Sequence, residues 1–428
     1  MVMTSALKSL SSDVFAGRYT ALGAVEECLR RIARQDATVK SFVAIREEAA
    51  REEARQLDES PDRGPLHGIP FAVKDIFETE SLPTEYNSEL YRGYQADRDA
   101  AVVAQLRRAG AVFLGKVSTV EFAGMGNIPA TRNPHRLTHS PGGSSAGSGA
   151  AVGAGMVPLA IGSQTGGSTI RPAAYCGVIG FKPTWGLVSC EGMKPFAPSL
   201  DTVGFIGDSI ELMNRVLMST GDLQAPGDTL GDRPAAPLRI GVYRTRYIAE
   251  VGADVLAALD KVAARLVQAG HVVTEVEDPF RDVDINALQD VVMWGEAIEA
   301  MAPELGSAYD RLSEAVVSAL EPHRQRSKAE IVAAREELAT LRPLCDHAMS
   351  AVDAWLTPAV PGVAPLVEEG NGVATFNRLF TALHVPCLTL PAGLGASDLP
   401  LGLQLVAPRG DDSRLIRVAQ TVQRLISE

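Results

Sequence analysis

The sequence is poor in the features of a disulfide scaffold, a membrane protein or a nucleic-acid binder. Its five cysteines are scattered through 428 residues without a C-x-x-C pair, which favours reduced thiols over disulfides or a zinc site. The N-terminal MVMTSALKSL lacks the apolar segment of a signal peptide, and the least polar run, residues 150–162, is too short to cross a bilayer. A net charge of -12 argues against a nucleic-acid surface. We therefore expect a soluble cytoplasmic protein with a small-molecule partner and no contact with membrane or nucleic acid.

Aromatic residues make up only 5% of the chain, but apolar residues as a whole reach 46% and can fill a large core. Residues 20–36 have the period of an amphipathic helix, with Thr20 placed to cap its first turn. Beyond it, short apolar strands alternate with amphipathic helices: strands at 69–75, 111–117, 238–243 and 271–277, and helices at 100–110 and 253–269. This alternation is typical of an α/β fold.

The second half of the chain contains a long helical stretch. Residues 284–350 have a helical pattern with a break near Pro322. The pattern then predicts strands at 354–360, 386–393 and 401–408 and a final amphipathic helix at 412–426. Because no internal repeat or long flexible linker separates these parts, we expect residues 1–428 to form one domain with the helical stretch as an insertion.

The strongest chemical signal is a pair of glycine- and serine-rich segments in residues 140–177, SPGGSSAGSGAAVGAGMVPLAIGSQTGGSTIRPAAYCG. They contain no His, Asp or Glu, and they lack the lysine of a phosphate-binding P-loop and the G-x-S-x-G of an α/β-hydrolase. The histidines are dispersed, and HRLTH at 135–139 lacks the glutamate of a zinc-protease helix. A serine nucleophile in these segments therefore needs a base other than histidine.

A lysine can serve as that base when burial leaves its amine neutral. Lys74 ends the apolar strand IPFAVK, where a charged ammonium is costly to bury. The alternative is a lysine at the strand edge that pairs with Asp75. The local residues leave both interpretations open.

Four segments together resemble the amidase signature family: GIPFAVKD, PGGSSAGSGAAV, QTGGSTIRPAAYCGVIGFKPTWG and LPLGLQLVAPRGDDSRLIRVA. The resemblance runs from about residue 20 to the C-terminus, and the ordered lysine and two serine motifs are specific. It implies the amidase signature fold, in which a central mixed, twisted β-sheet is covered by helices on both faces. It also implies a hydrolase without a cofactor or metal, and members of the family are often homodimers.

Carried over residue by residue, the family's Ser-Ser-Lys triad places the nucleophile at Ser168, the bridging serine at Ser144 and the base at Lys74. The resemblance also implies a cis peptide bond between Gly143 and Ser144. Neutral Lys74 would take a proton through the Ser144 hydroxyl while Ser168 attacks a carbonyl and forms an acyl-enzyme. The oxyanion hole would be formed by the backbone N–H groups of Thr165, Gly166, Gly167 and Ser168.

Two further motifs bear on the substrate. EFAGMGN at 121–127 resembles the segment that lines the family's acyl site, so Gly124 and Met125 are candidate substrate contacts, with core packing as the alternative for Met125. Many members have Asp where this chain has Gln164, and Arg at the second position after the nucleophile, whereas Arg171 is at the third. This variant resembles the malonamidase type, in which that arginine meets a substrate carboxylate. The alternative is an arginine that anchors a loop.

Several nearby residues have a simpler interpretation. Ser145 and Ser148 are expected to bond the loop backbone or to cap the following helix. Met293, Trp294 and Met301 of the helical insertion could line the pocket, but their helical spacing is more typical of core residues.

The sequence thus favours an amidohydrolase that cleaves the C–N bond of a small, malonamate-like amide that bears a carboxylate. The nearest alternative is a urethanase-like carbamate or ester hydrolase with the same triad, because the pocket decides the leaving group. An amidotransferase subunit that releases ammonia from glutamine is a further alternative, although such subunits usually keep the Asp and the second-position Arg. The intact Lys74, Ser144 and Ser168 disfavour a catalytically dead scaffold.

Overall fold

The computed structural model describes residues 9–221 and 237–427, and within them eleven strands form one sheet. The strands are β1 Phe42–Ile45, β2 Pro70–Lys74, β3 Val112–Val117, β4 Leu159–Gln164, β5 Ile179–Lys182, β6 Thr202–Gly207, β7 Arg239–Val242, β8 Val272–Glu275, β9 Ala354–Pro358, β10 Cys387–Leu394 and β11 Pro400–Val406. The α-helices are α1 Leu10–Phe15, α2 Ala21–Val39, α3 Glu47–Glu59, α4 Ala101–Arg108, α5 Ala146–Gly153, α6 Ile170–Tyr175, α7 Ile210–Thr220, α8 Ala253–Gln268, α9 Ile285–Ala300, α10 Ala302–Ser307, α11 Glu314–Leu320, α12 Lys328–Met349, α13 Thr375–Ala382 and α14 Asp412–Ser427.

The sheet is mixed. Its strand order is β1-β3-β2-β4-β6-β5-β10-β11-β9-β7-β8. β2 runs parallel to both β3 and β4, and β7 runs parallel to both β8 and β9, whereas the other neighbouring pairs are antiparallel. The sequence-based prediction of an α/β fold with a mixed sheet is therefore confirmed.

The central strands are covered on both faces. Every residue of β2, β3, β4, β6 and β11 is buried, which explains why these segments are continuous apolar runs without the alternation of a half-exposed strand. Helix α2 begins as predicted, because the Thr20 side chain accepts a hydrogen bond from the N–H of Gly23. None of the described helices is both long and apolar enough to cross a bilayer.

The predicted helical insertion lies between β8 and β9 as α9 to α12, and α9 packs against α12 and α13. A single 3₁₀ turn over Glu321–His323 marks the break predicted at Pro322. Met293 and Met301 are buried, and the Trp294 ring packs against Phe196 at a centroid distance of 5.6 Å. The interpretation of these insertion residues as core is therefore confirmed for the two methionines.

The strand order of the sheet also brings the polar residues of several segments to one edge. β2 and β4 are parallel neighbours, with Val73 opposite Ile161, so their carboxyl ends lie at the same edge of the sheet. Lys74 is the last residue of β2, and Thr165 directly follows β4. The first turns of α5 and α6 follow Ser144 and Ser168 closely, which brings both serine-containing segments to this edge.

Candidate active site

Lys74 is fully buried at the end of β2 and is held by two serine hydroxyls. Its Nζ lies 2.7 Å from Ser144 Oγ and 2.8 Å from Ser163 Oγ. Burial lowers the pKa of Lys74 to about 7, and the negative charge of Asp201 opposes part of that shift. Near neutral pH a large fraction of this amine is therefore unprotonated, as a base requires.

Asp75 has a different cation as its partner. Its carboxylate lies 2.9 Å from the Nζ of Lys116, another fully buried lysine, which also donates to Thr84 Oγ1 at 2.7 Å. The alternative in which Lys74 is paired with Asp75 is therefore wrong. Lys74 is the last residue of β2, whereas Asp75 lies in the turn that follows, where its carboxylate meets Lys116 of the neighbouring β3.

The two predicted catalytic serines lie next to each other. The backbone N–H of Ser144 donates to Ser168 Oγ at 3.2 Å, while the Ser144 hydroxyl contacts Lys74. Ser144 is buried, whereas Ser168 is partly exposed, so the hydroxyl proposed to attack is the one that a substrate can reach. The structure thus brings all three predicted triad residues together.

The expected cis peptide between Gly143 and Ser144 is not found, since every peptide bond in residues 9–221 and 237–427 is trans. The chain turns here through two successive glycines in the left-handed region, Gly142 with φ 82° and Gly143 with φ 60°. A side chain at either position would also collide with its surroundings, because a Cβ on Gly142 would lie 2.3 Å from the Tyr175 ring.

The segment from Thr165 to Ser168 presents free backbone donors. The backbone N–H groups of Gly166, Gly167 and Ser168 donate no hydrogen bond to any described residue. The segment is held instead through Gln164, whose Oε1 accepts from the N–H groups of Thr169 and Ile170 at 3.0 and 3.1 Å. Unpaired N–H groups on a rigid segment beside a nucleophile are suited to bind an oxyanion.

Gln164 has a second contact, which uses the amide nitrogen of its side chain. Its Nε2 donates to Thr381 Oγ1 at 3.0 Å, and that hydroxyl donates to the carbonyl of Gly166 at 2.8 Å. An ionised carboxylate could accept the two N–H bonds but could not donate to Thr381. The glutamine therefore ties α13 to the glycine segment.

Ser145 and Ser148 bond the backbone of β4. Ser145 Oγ accepts from the N–H of Ser163 at 3.2 Å, and Ser148 Oγ donates to the carbonyl of Ile161 at 2.9 Å. Ser145 is the first residue before α5, but its side chain makes no capping hydrogen bond. The two hydroxyls thus bond the backbone, as predicted, but it is the backbone of β4 and not of the loop, and the predicted capping of the helix is wrong.

The segment around Gly124 and Met125 lies beside the triad. The N–H of Val120 donates to the carbonyl of Ser144 at 3.2 Å, and the left-handed residues Phe122 and Ala123 turn the chain toward Gly124, which has φ 146°. Met125 is fully buried, which agrees with core packing. Gly124 has the Phe196 ring as its neighbour, since a Cβ at this glycine would lie 3.6 Å from that ring.

Arg171 lines a cavity of about 780 Å³ together with Arg378, Arg326 and the 372–375 segment. Its Nη1 donates to the carbonyl of Gly372, which is the loop contact of the alternative interpretation. Its Nε is buried without a partner, and no described carboxylate pairs with this guanidinium. Burial, together with the positive charge of Arg378, lowers the pKa of Arg171 to about 10. Arg171 therefore retains capacity to bind an anion.

Three residues of the site, Ser163, Asp201 and Gln289, were not found from the sequence, and Gln164 was noted there without a role. Ser163 bonds Lys74, and Gln164 organises the glycine segment. Asp201 and Gln289 bond Thr165 at its hydroxyl and its carbonyl, at 2.5 and 2.9 Å. Gln289 lies on α9, so the helical insertion reaches the candidate oxyanion segment. The described residues contain no group of three His, Cys, Asp or Glu side chains that could hold a metal ion.

The chain was compared with known proteins. The family model described as Amidase matches residues 23–416. Among curated proteins, the glutamyl-tRNA(Gln) amidotransferase A subunit of Lysinibacillus sphaericus is 31% identical, with 97% of this chain and 95% of that protein covered. The corresponding protein of Shouchella clausii is 33% identical, with 94% and 92% covered.

Among solved structures, the peptide amidase of Stenotrophomonas maltophilia matches with a TM-score of 0.83 at 28% identity, with 99% of this chain and 98% of that chain covered. The match of the family model extends over both serine-containing segments and the lysine strand. The chain belongs to the amidase signature family.

Proposed function

We propose that this protein is an amidohydrolase that cleaves the C–N bond of a small amide through an acyl-enzyme on Ser168. The observation that carries the proposal is the buried contact of Lys74 with the Ser144 hydroxyl at 2.7 Å, next to a partly exposed Ser168. A buried amine with a lowered pKa that contacts a serine hydroxyl and has no carboxylate partner is suited to act as a base.

The proposed reaction begins when Lys74 takes the proton of the Ser144 hydroxyl and Ser144 takes that of Ser168. Ser168 Oγ then attacks the amide carbon, and the developing oxyanion is bound by the N–H groups of Thr165, Gly166, Gly167 and Ser168. The same relay returns the proton to the leaving nitrogen as the C–N bond breaks. Water hydrolyses the acyl-enzyme by the reverse path, which restores the Ser168 hydroxyl.

Arg171 supports a substrate that carries a carboxylate near the amide, as malonamate does. It lies one turn beyond Ser168 at the start of α6, and its buried Nε lacks a partner. Arg326 and Arg378 in the same cavity wall share Asp290, at 2.9 and 3.2 Å, whereas Arg171 has no acidic partner among the described residues. A carboxylate on the substrate would supply that missing charge.

The Arg171→Ala variant tests the carboxylate preference. We expect wild type to favour malonamate over its neutral analogue malonamide and over an aryl carbamate. The variant should lose roughly 30- to 1,000-fold in kcat/KM for malonamate, because it leaves a desolvated carboxylate unpaired, and should retain malonamide turnover. The measurement is steady-state hydrolysis of the three compounds by both proteins.

Arg326→Ala is the matched control, since Arg326 lines the same cavity but already has Asp290 as its partner. It should leave the ratio of malonamate to malonamide turnover within a few-fold of wild type. If wild type prefers malonamide or the carbamate, and Arg171→Ala does not change that order, the carboxylate-binding role is wrong. The protein would then fit the carbamate or ester hydrolase alternative with the same triad.

A second candidate function is the release of ammonia from glutamine for a partner enzyme. The observation in its favour is the similarity to amidotransferase subunits over more than nine-tenths of their length. Gln164 and the third-position Arg171 depart from the pattern usual in such subunits. Adding glutamine to the substrate panel separates the two: steady turnover of malonamate without turnover of glutamine by the isolated chain contradicts the amidotransferase.

A further inference from the structure

A buried carboxylate lies directly behind the candidate oxyanion segment. Asp201 precedes β6 and Thr165 follows β4, and the antiparallel pairing of Gln164 with Thr202 places them near each other. Asp201 Oδ1 accepts from Thr165 Oγ1 at 2.5 Å. Its Oδ2 accepts from the N–H groups of Phe196 and Ala197 at 2.8 and 3.0 Å. The carboxylate is thus fixed by three donors.

We propose that Asp201 is a positioning residue for this reaction, which holds Thr165 in place and sets a buried carboxylate at the end of β4, the strand that Lys74 also meets. The inference rests on the proposed function, because it concerns the base and the oxyanion segment of that reaction. Asp201 touches neither the nucleophile nor the expected substrate position, so it would act through Thr165 and Lys74.

The contact with Thr165 bears on the geometry of the oxyanion hole. Thr165 is anchored at two points, by Asp201 at its hydroxyl and by Gln289 Nε2 at its carbonyl. The next three residues supply the free N–H groups, and glycine at two of them gives the backbone no side-chain packing of its own. The anchor at Thr165 fixes one end of this segment, while the Gln164 and Thr381 bonds hold the rest, and small displacements of such donors are costly for catalysis.

The second effect of Asp201, on Lys74, is electrostatic and involves no hydrogen bond between the two side chains. The Lys74 amine bonds Ser163 on β4, and the Asp201 carboxylate bonds Thr165 just after β4. The amine and the carboxylate are therefore bonded to residues two positions apart in the chain. Asp201 is the charged group that acts on Lys74, and its effect is to raise that pKa. The neighbouring Asp75 is already paired with Lys116.

The groups that face Asp201 determine its own titration. Burial raises the pKa of Asp201 to about 6, the nearby Glu296 of α9 acts in the same direction, and the Thr165 hydrogen bond opposes it. The Cys190 thiol contacts only the Asp201 carbonyl, at 3.7 Å, and burial raises the pKa of that thiol, which keeps it neutral. Above about pH 6 Asp201 is therefore negatively charged and interacts electrostatically with Lys74. The two groups titrate as a coupled pair.

The test is the pH dependence of Ser168 labelling by a fluorophosphonate, which forms a bond from Oγ to phosphorus, releases fluoride and needs no particular substrate pocket. Asp201→Asn removes the negative charge, so the pKa of Lys74 falls. The acid limb, which is the part of the profile where the labelling rate falls as pH drops, should therefore shift to lower pH by roughly 0.5 to 1 pH unit. The plateau rate should fall about 10- to 100-fold as Thr165 loses its anchor.

Two variants of Thr165 complete the series and serve if Asp201→Asn does not fold. Thr165→Ser keeps the hydroxyl that bonds Asp201, so its acid limb should lie nearer to wild type and its plateau should be higher than those of Thr165→Val. Thr165→Val removes the bond that lowers the pKa of Asp201, so that carboxylate is less charged near neutral pH. Its acid limb should lie between those of wild type and Asp201→Asn, with a lowered plateau.

The outcomes separate this proposal from the proposed function. Acid limbs of Asp201→Asn and Thr165→Val that coincide with wild type overturn the electrostatic role, whatever the plateau. Plateaus equal to wild type in both variants overturn the role in holding Thr165. Labelling of Ser168→Ala at the wild-type rate would instead refute Ser168 as nucleophile, which is a failure of the proposed function and not of Asp201.

Discussion

Replacement of Ser168 by alanine is expected to lower kcat/KM for every hydrolysed amide by roughly 10,000-fold or more, because no other group can form the acyl-enzyme. Ser168 Oγ is partly exposed and receives the Ser144 N–H at 3.2 Å, so the variant removes the attacking atom without opening a large cavity. The measurement is steady-state hydrolysis together with mass spectrometry of protein quenched during turnover. Wild type should show a mass increase equal to the acyl group on the peptide that contains Ser168.

Ser148→Ala is the matched control for this substitution. Ser148 lies in the first serine-containing segment and bonds the carbonyl of Ile161, away from Lys74. Its loss should cost about 1 kcal/mol of folding stability and leave turnover within about tenfold of wild type. Persistent activity of Ser168→Ala, or an acyl group found on another serine, would remove Ser168 from the proposed mechanism.

The three principal groups can be located from the sequence through the motifs that resemble the amidase signature family, since the residues around Lys74 alone leave its role open. Lys74 ends an apolar strand, and Ser144 and Ser168 lie in glycine-rich segments where the backbone must turn sharply. Such features are short-range: apolar periodicity, a polar residue at a strand end, and glycine where φ is positive. Short-range patterns predicted β2 and six other strands, β3 and β7 to β11, but not β4, which carries Ser163 and Gln164.

The supporting contacts could not be predicted because they join distant segments. Ser163 and Lys74 are 89 residues apart, and Gln289 and Thr165 are 124 apart. Lys74 and Ser163 come together because β2 lies beside β4 in the sheet. Gln289 and Thr165 come together because α9 packs over the end of β4. The alternative pairing of Lys74 with Asp75 was wrong for a related reason, since the sequence shows only the adjacent lysine, whereas the partner Lys116 comes from β3.

The cis peptide expectation failed for a different reason. It was taken from the resemblance and not from a residue pattern, since glycine before serine permits many backbone conformations. In this structure Gly142 and Gly143 both adopt positive φ and turn the chain with a trans bond. With this trans bond the Ser144 hydroxyl contacts Lys74, and the Ser144 backbone N–H contacts Ser168 Oγ.

The second prediction with a large effect concerns the base. Lys74→Met is expected to lower kcat by roughly 100- to 10,000-fold, because the amine that accepts the Ser168 proton is lost while the buried volume is kept. The wild-type rate should fall as pH drops through about 7, since burial lowers the pKa of Lys74 to that value and only its neutral form is a base. The residual activity of Lys74→Met should lack that acid limb.

Lys182→Met provides the matched control, because Lys182 is also fully buried and burial lowers its pKa in the same direction. Lys182 ends β5, and its Nζ donates to the carbonyl of Pro183 rather than to a serine of the site. Its replacement should leave both the rate and the acid limb near wild type. If Lys182→Met moved the limb, or Lys74→Met kept it, the titrating group would not be Lys74. If only Lys74→Met abolishes the acid limb, Lys74 sets the pH at which the nucleophile becomes active. Lys116 and Lys182 are also buried, but Lys74 is the one that contacts Ser144.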